Sequence, residues 1–311
     1  MSRDWRTARW TDHPKNPLID PPPGTWLIAD PCVLAPDVTP DGKWHMFANA
    51  VNVLHQYVSD DGLEWRSFGG ELFSGIRPFC YVQDGFHLFY ERLTIPLGRS
   101  CISYRFSDDL VRWTDPIDVL QPSLPWEGRV IRTNGNPCLV DAGGYYRLYF
   151  SAAYVWLWDC LYWEPVYIGV AEADRITGPY YKWPSPLIGP SERYYWRSLG
   201  AGSIKVRPPK GGMPWLAFNN GIFKDEAGRS RSEIHLLEST DGLVWDPVGD
   251  EPILAPEPGW KEAFVYAMDI VEYGGDVRLY YNARDGWLRG KERIGLAQPR
   301  WDRSGSVETQ P

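Results

Sequence analysis

The chain has 311 residues, a formal net charge of −8 and a sequence pI near 5.2. It holds no cluster of Lys and Arg, so a nucleic acid partner is not expected, because phosphate backbones are bound through such clusters. Its 17 Trp and 18 Tyr exceed what a core of this size ordinarily uses, and some of them are therefore predicted to line a surface or a pocket.

Segments that would direct the protein to a membrane or bind a cofactor are not evident in the sequence. There is no run of roughly eighteen apolar residues and no apolar leader, so we expect a cytoplasmic protein without membrane contact. The five His and five Cys show no metal-ligand spacing, and no phosphate loop or dinucleotide fingerprint occurs. We expect no cofactor, no metal and a small-molecule partner; the oligomeric state stays open.

One short stretch, T-W-L-I-A-D-P at 25–31, returns in altered form four times along the chain. Each copy is followed by a short apolar segment, a turn and an aromatic segment, as at 32–34 and 44–47. Most units then end in a second signature, which reads S-x-D-G-L-x-W at 59–65 and 239–245. The alternation and the aromatic content predict strands joined by tight turns.

This repeat predicts an all-β fold, a five-bladed β-propeller, because five small sheets placed radially bury both faces against their neighbours. A β-sandwich would not explain the five-fold repeat. We expect one domain over 1–301, with a disordered tail over 302–311. Its N-terminal strand, near 5–14, is expected to close the ring as the outermost strand of the fifth blade. The blades are expected near 25–68, 69–117, 118–184, 185–248 and 249–301.

The residues that open the first strand and close the second strand of each blade should share one rim, because the two strands are antiparallel. This rule places Asp30 and Glu91 beside a central pocket as candidate catalytic groups. For Glu262 the alternative is a structural role in which it binds backbone amides. The expected substrate-binding residues of the blades are Arg77, Asn136, Asn220, Glu262, Tyr266, Asn282 and Arg284.

An unusual insertion, Y-V-W-L-W-D-C-L-Y-W-E at 154–164, follows the second strand of the third blade. It is expected to project over the same rim. There it would form a lid that stacks on a ligand, or an exposed patch for self-association. We favour the lid, and therefore add Trp156, Trp158 and Asp159 to the substrate-binding residues.

The order N-P-L-I, W-x-x-x-D-P, aromatic strand and S-x-D-G-L-x-W resembles the five-bladed glycoside hydrolases of the furanosidase type. These are families 43 and 62, the invertase and levansucrase families, and the mannoside phosphorylases. In these enzymes an Asp in the first D-P motif is the base or nucleophile, and the resemblance implies this role for Asp30. A second Asp tunes the site and a Glu is the acid. Here Asn136 replaces the second Asp, and 199–203 contains no Glu, so the set of acids is degenerate.

Glycoside hydrolysis needs two carboxyl groups, one ionised and one protonated. Asp30 beside Arg77 suits the ionised role, because a nearby cation favours a carboxylate. Glu91 is the candidate for a displaced acid. The alternative is that Glu91 and Arg77 form only a structural ion pair.

Three functions from different classes remain open at this stage. The first is a glycosidase or glycoside phosphorylase acting on a small sugar or glycoside. The second is a propeller enzyme with altered chemistry, such as a cyclase or lyase on an aromatic-rich small molecule, which the missing acids and the Trp-rich insertion would allow. The third is a non-catalytic sugar-binding propeller. Retention of Asp30 favours the first.

Overall fold

A computed structural model describes residues 4–94 and 98–301 of the chain. Within that part, the regular structure is β-strand apart from three short 3-10 helices at Trp5–Thr7, Pro125–Glu127 and Tyr195–Arg197. No helix there is long and apolar enough to cross a membrane. The tail predicted over 302–311 lies outside the described residues.

The strands of the described part form consecutive antiparallel sheets of four strands. In chain order the strands are β1 Arg9–Asp12, β2 Ala29–Leu34, β3 Trp44–Ala50, β4 Val53–Ser59, β5 Arg66–Ser74, β6 Ile76–Val82, β7 Phe86–Thr94, β8 Arg99–Ser107, β9 Ile117–Leu120, β10 Asn134–Asp141, β11 Tyr146–Leu157, β12 Tyr162–Ala173, β13 Tyr181–Lys182, β14 Ile204–Arg207, β15 Trp215–Lys224, β16 Ser230–Ser239, β17 Asp246–Pro247, β18 Phe264–Tyr273, β19 Asp276–Arg284 and β20 Glu292–Arg300.

The sheets are arranged as the blades of a propeller. Strands β2–β5, β6–β9, β10–β13 and β14–β17 each pair in sequence, and β18–β20 take β1 as their fourth strand. A single parallel bridge between Ser232 and Phe264 joins the last two blades. The innermost strands β2, β6, β10, β14 and β18 contact one another in that order, and β18 contacts β2. The predicted all-β propeller is therefore confirmed.

The second signature forms a turn that ties neighbouring blades together. In the first blade the Ser59 hydroxyl accepts a hydrogen bond from the Gly62 amide at 2.9 Å, and Asp61 accepts one from the Leu63 amide at 2.8 Å. The hydroxyl of Tyr280, in the fifth blade, donates to the Gly62 carbonyl at 2.8 Å. The hydroxyl of Tyr149, in the third blade, donates in the same way to the Gly242 carbonyl of the fourth blade at 2.8 Å. In these two copies the signature thus both closes its own turn and binds the preceding blade of the ring.

The inner strands carry bulges that direct selected side chains toward the ring axis. The pairing of β2, β6, β10 and β18 with the following strand shifts register near the strand start. Within three of these bulges the backbone is left-handed, with φ of 54° at Asp30, 57° at Arg77 and 47° at Asn136. Such conformations are unfavourable for residues other than Gly, so they are typical of functional sites.

Removal of residues 1–14 is expected to lower the free energy of unfolding by about 3–5 kcal/mol, the range for losing a buried Trp. Strand β1 pairs with β20, and its buried Trp10 packs edge-on against Phe218 at 5.5 Å. Urea titration of the truncated and full chains measures the difference, with removal of 302–311 as the control. An unchanged midpoint would refute the proposal that this strand closes the ring.

Candidate active site

A cavity of about 460 Å³ lies where the inner strands of all five blades begin. Its position follows from the antiparallel pairing, which brings the start of each first strand next to the end of the second. Six of the residues predicted from the sequence line it, and these are Asp30, Arg77, Asn136, Asn220, Tyr266 and Asn282.

Other predicted residues lie away from the cavity. Glu262 is exposed, and only its backbone is engaged: its carbonyl accepts from Arg231 and its amide donates to the Gly259 carbonyl. Asp159 accepts hydrogen bonds from the amide and the hydroxyl of Ser230, so both of its carboxylate oxygens are engaged by the protein. Trp158 is 80% exposed, and Trp156 packs against it with ring centroids 6.0 Å apart. We therefore assign none of these four to direct substrate contact.

The Trp-rich insertion is the end of a long hairpin and not a separate loop. Strands β11 and β12 stay paired up to Leu157 and Tyr162. Trp163, near the tip, packs against Trp156 at 4.8 Å and lines the cavity. The hairpin thus places one of its Trp residues at the mouth of the cavity, as expected of a lid, while Trp158 points elsewhere.

Asp30 is partly open to the cavity but enclosed by protein on its other sides. Burial raises the pKa of its carboxyl, and the charges of Arg77 and Lys205 oppose this rise. Its backbone amide donates to the Asn282 side chain at 3.1 Å. That bond holds Asp30 in its left-handed backbone conformation. Its carboxyl group thereby lies at the cavity with Arg77 and Lys205 as cationic neighbours.

Glu91 is fully buried behind the cavity wall in a network with Arg77 and Tyr154. Arg77 Nη1 donates to Glu91 Oε2 at 2.7 Å and to the Tyr154 hydroxyl at 2.7 Å. Tyr154 in turn donates to Glu91 Oε1 at 2.8 Å. Both carboxylate oxygens are therefore engaged and withdrawn from the cavity. This arrangement matches the structural ion pair considered above, and we assign the acid role elsewhere.

Two carboxyl groups that were not among the predicted site residues line the cavity, Glu164 and Glu292. The pKa of Glu164 is raised to about 7 and that of Glu292 to about 8, mainly by burial and in part by the charge of Asp30. The Asn282 side chain donates to Glu292 Oε1 while it holds the Asp30 amide. Glu292 therefore stands beside Asp30, and both new acids favour the protonated form near neutral pH.

These acids could have been found by extending the same topological rule. Glu164 and Glu292 lie at the start of third strands, β12 and β20. A third strand begins at the rim where the second ends, because those two strands are also antiparallel. The sequence signal was therefore present at both positions, but the rule had been applied only to the first two strands of each blade.

Two polar groups at this end of the site lack hydrogen-bond partners among the described residues. They are the Tyr266 hydroxyl and the Nε and Nη1 atoms of Arg284, both nearly buried. Arg284 stacks on the Tyr162 ring at 4.3 Å, and its charge opposes the rise in pKa of Glu164. Tyr266 faces Glu164 without meeting the geometry of a hydrogen bond. Tyr266 lines the cavity, and its unpaired hydroxyl is suited to bind a polar ligand, whereas Arg284, predicted as a substrate-binding residue, is not among the lining side chains.

Replacing Glu164 with Gln is expected to stabilise the protein at alkaline pH relative to the parent. The pKa of Glu164 is about 7 in the fold against an ordinary value of 4.5. An acid whose pKa is raised contributes stability that is present below about pH 4.5 and lost as pH rises through 7. The difference reaches up to about 3 kcal/mol.

Thermal unfolding of parent and Glu164→Gln at pH 5 and pH 8 measures this effect. The midpoint of the variant relative to the parent should rise from the first pH to the second. Glu226→Gln, at an exposed position, should show no such trend. A difference that stays constant with pH would contradict the buried acid.

Within the described ranges, no group of three or more His, Cys, Asp and Glu side chains is placed to hold a metal ion. All five cysteines are buried and free.

No family model and no curated protein matches the chain. Solved structures do. An N-acetylgalactosamine deacetylase from F. plautii, in complex with blood group B trisaccharide, matches with a TM-score of 0.67 and 14% identity, covering 93% of this chain and 95% of that chain. An enzyme of the GH130 family of mannoside phosphorylases, which contains glycoside hydrolases that target β-1,2 mannosidic linkages in Candida mannan, matches with a TM-score of 0.66 and 14% identity, covering 95% of each chain.

A family 117 glycoside hydrolase from Zobellia galactanivorans matches with a TM-score of 0.60 and 15% identity, covering 96% of this chain and 92% of that chain. The structures similar to this chain thus include the propeller glycoside hydrolases and phosphorylases that the sequence resembles. Identities this low establish a shared fold, and a fold alone does not carry an activity. The resemblance stated from the sequence is confirmed at the level of the fold.

Proposed function

We propose that the protein is a glycoside hydrolase that cleaves a small glycoside in the central cavity. The observation that supports this most directly is that two carboxyl groups, those of Asp30 and Glu164, line the same cavity. Burial raises the pKa of both, to about 7 for Glu164, and the charge of Arg77 opposes the rise at both. Asp30 has Lys205 as a second cationic neighbour, which favours its ionised form further. Glycoside cleavage requires one ionised and one protonated carboxyl group.

In this proposal Glu164 donates its proton to the oxygen of the leaving group as the glycosidic bond breaks. Asp30 either takes a proton from the attacking water or attacks the anomeric carbon itself, after which water releases the sugar. Glu292, fixed by Asn282, is the second candidate for the acid. We prefer Glu164 because Glu292 is hydrogen-bonded beside Asp30.

Water suits this cavity better than phosphate as the second substrate. Three carboxyl groups line it, those of Asp30, Glu164 and Glu292, and the charge of Arg77 is already paired with Glu91 at 2.7 Å. A phosphate dianion would be repelled by any of these carboxyl groups that ionise. Hydrolysis is therefore favoured over phosphorolysis.

A panel of nitrophenyl furanosides and pyranosides, assayed with and without phosphate, tests the proposal. We expect release of nitrophenolate that does not depend on phosphate and that Asp30→Asn abolishes. A melting-temperature screen with free sugars runs alongside. Stabilisation by a sugar without turnover of any glycoside would favour the non-catalytic binding protein. Turnover to a non-hydrolysed product would favour the cyclase or lyase alternative.

A cytoplasmic location also stays a prediction. The five free cysteines are compatible with a reducing compartment. Mass spectrometry of the purified protein without reductant tests this, and an intramolecular disulfide would overturn it.

A further inference from the structure

The mouth of the cavity is apolar although its interior is polar. Of the side chains that line the cavity, four are exposed: Trp26 at 52%, Val51 at 45%, Leu161 at 55% and Trp163 at 45%. All four are large and apolar, and we call them the apolar collar. Every charged or amide side chain of the lining is buried or partly buried. The cavity thus changes from polar to apolar from the inside outward.

Two members of the collar are held in an unfavourable backbone conformation. Val51 has φ of 56° and Leu161 also has φ of 56°, in the left-handed region that favours Gly. For a β-branched residue such as Val this conformation is a genuine outlier, and residues of this kind cluster at ligand clamps. Gly would adopt this conformation at either position without strain, so the turn itself does not require an apolar side chain there.

The collar side chains carry only two hydrogen-bonding groups, the indole N–H groups of Trp26 and Trp163, and no acceptor oxygen. The polar atom of Trp26, its indole N–H, donates to the Tyr162 hydroxyl at 3.0 Å, which also fixes the ring in place. Val51 and Leu161 have no polar side-chain atoms. A second sugar ring bound there would find at most the Trp163 indole N–H as a partner and would leave most of its hydroxyl groups unpaired by these side chains, which is costly when water is displaced.

We propose that the apolar collar binds a flat aromatic aglycone, so that the substrates are small-molecule aryl glycosides and not oligosaccharides. This inference rests on the proposed function, and it adds the class of the leaving group. The sugar then occupies the polar interior and the aglycone lies between the collar side chains. Aromatic rings bound by Trp and aliphatic side chains bury large areas and gain further from edge and stacked contacts.

The position of Glu164 agrees with this arrangement. It follows Trp163 directly on β12, and both line the cavity. The acid therefore lies where the polar interior meets the collar, which is where the oxygen between sugar and aglycone would be held. A phenolate is also a better leaving group than an alkoxide, since phenols have a pKa of about 10. Departure of an aryl leaving group thus needs less help from a general acid, which suits a site whose acids differ from those of the family it resembles.

The test compares glycosides of one sugar that differ only in the aglycone: 4-nitrophenyl, methyl and a second sugar ring. We expect kcat/KM to be highest for the aryl glycoside. Trp26→Ala and Trp163→Ala should each lower it by about tenfold or more, since 1.4 kcal/mol of lost burial is tenfold. Their effect on the methyl glycoside should be small. Trp158→Ala, on the same hairpin but outside the cavity, is the matched control and should resemble the parent.

A second pair of variants separates binding from folding. Val51→Gly and Leu161→Gly remove collar side chains and at the same time relieve the left-handed strain. We expect their melting temperatures to equal or exceed that of the parent, while the preference for the aryl glycoside falls. A preference that stays unchanged in both, with intact folds, would overturn the proposal. So would a higher kcat/KM for the disaccharide than for the aryl glycoside.

An assay that needs no turnover keeps this proposal separate from the proposed function. 4-Nitrophenol quenches Trp fluorescence, and its binding to the parent and to the Trp26→Ala, Trp163→Ala double variant can be titrated. Binding to the parent that the double variant loses supports the collar, even if no glycoside is hydrolysed and the proposed function fails. Equal or undetectable binding to both proteins would overturn the collar, whatever the activity.

Discussion

The Asp30→Asn variant is expected to lose about 10²- to 10⁴-fold in turnover while keeping the parent's fold, the range for loss of a general base. Asn preserves the size and the hydrogen bonding of the residue and removes its charge. The backbone bond from the Asp30 amide to Asn282 does not depend on the side chain. We therefore expect the same circular dichroism spectrum, a similar melting temperature and a collapse of kcat.

Steady-state kinetics on the best aryl glycoside of the panel measures the loss. Asp159→Asn supplies the matched control, because Asp159 is a carboxylate of the Trp-rich hairpin that accepts from Ser230 and lies outside the cavity. It is expected to keep the kcat of the parent. If Asp30→Asn turned over like the parent, Asp30 would be only an electrostatic partner of Arg77, and the role implied by the family resemblance would not hold here.

The Glu91→Ala variant is expected to lose about 3–5 kcal/mol in free energy of unfolding, the scale for removing one partner of a buried ion pair. Arg77 would keep its charge in the wall of the cavity, with Tyr154 as its remaining side-chain partner. Glu91→Gln should lose less, because an amide oxygen still accepts from Arg77. Chemical denaturation of the three proteins measures both differences.

The same variants decide between the two roles considered for Glu91. If Glu91 only positions Arg77, the loss of activity should follow the loss of stability. Glu91→Gln should then keep most of its turnover. If Glu91 were the catalytic acid, Glu91→Gln would be stable but would lose most of its activity, and the residual activity would no longer fall at alkaline pH. The second result would return the acid role from Glu164 to Glu91.

The fold was accessible from the sequence because its signal is repeated. The S-x-D-G-L-x-W turn identifies blade ends, and the positions before the apolar strands identify Asp30, Arg77 and Asn136 as cavity residues. Pairing direction alone brings these side chains together, so no side-chain detail was needed. The acids Glu164 and Glu292 were missed because only two strands of each blade were considered.

The withdrawn position of the Glu91 carboxylate has a different physical origin. Its chain position is at the correct rim, since it pairs with Ile76 at the start of β6. Its side chain, however, fills the space left by Gly135, where an added Cβ would lie 1.8 Å from Glu91 Oε2. A glycine in the next blade thus decides where this carboxylate points. Sequence patterns of one blade do not contain that information.

Because the bulge is repeated, the charge at each of its positions in the cavity can be changed independently of the others. Asp30, Arg77 and Asn136 occupy the same place in three successive blades, with the same left-handed backbone. The frame that supports them is set by strand pairing, so a substitution at one position changes the charge and leaves the other two in place. In the fourth blade this freedom is lost, because a Cβ on Gly202 would lie 2.2 Å from the Asn220 carbonyl. Asn136 is therefore a position at which the charge of the cavity can be changed, because Asp would add a carboxylate without changing the size of the side chain. In this fold, the charge that faces the cavity is thus set one residue at a time at three equivalent positions.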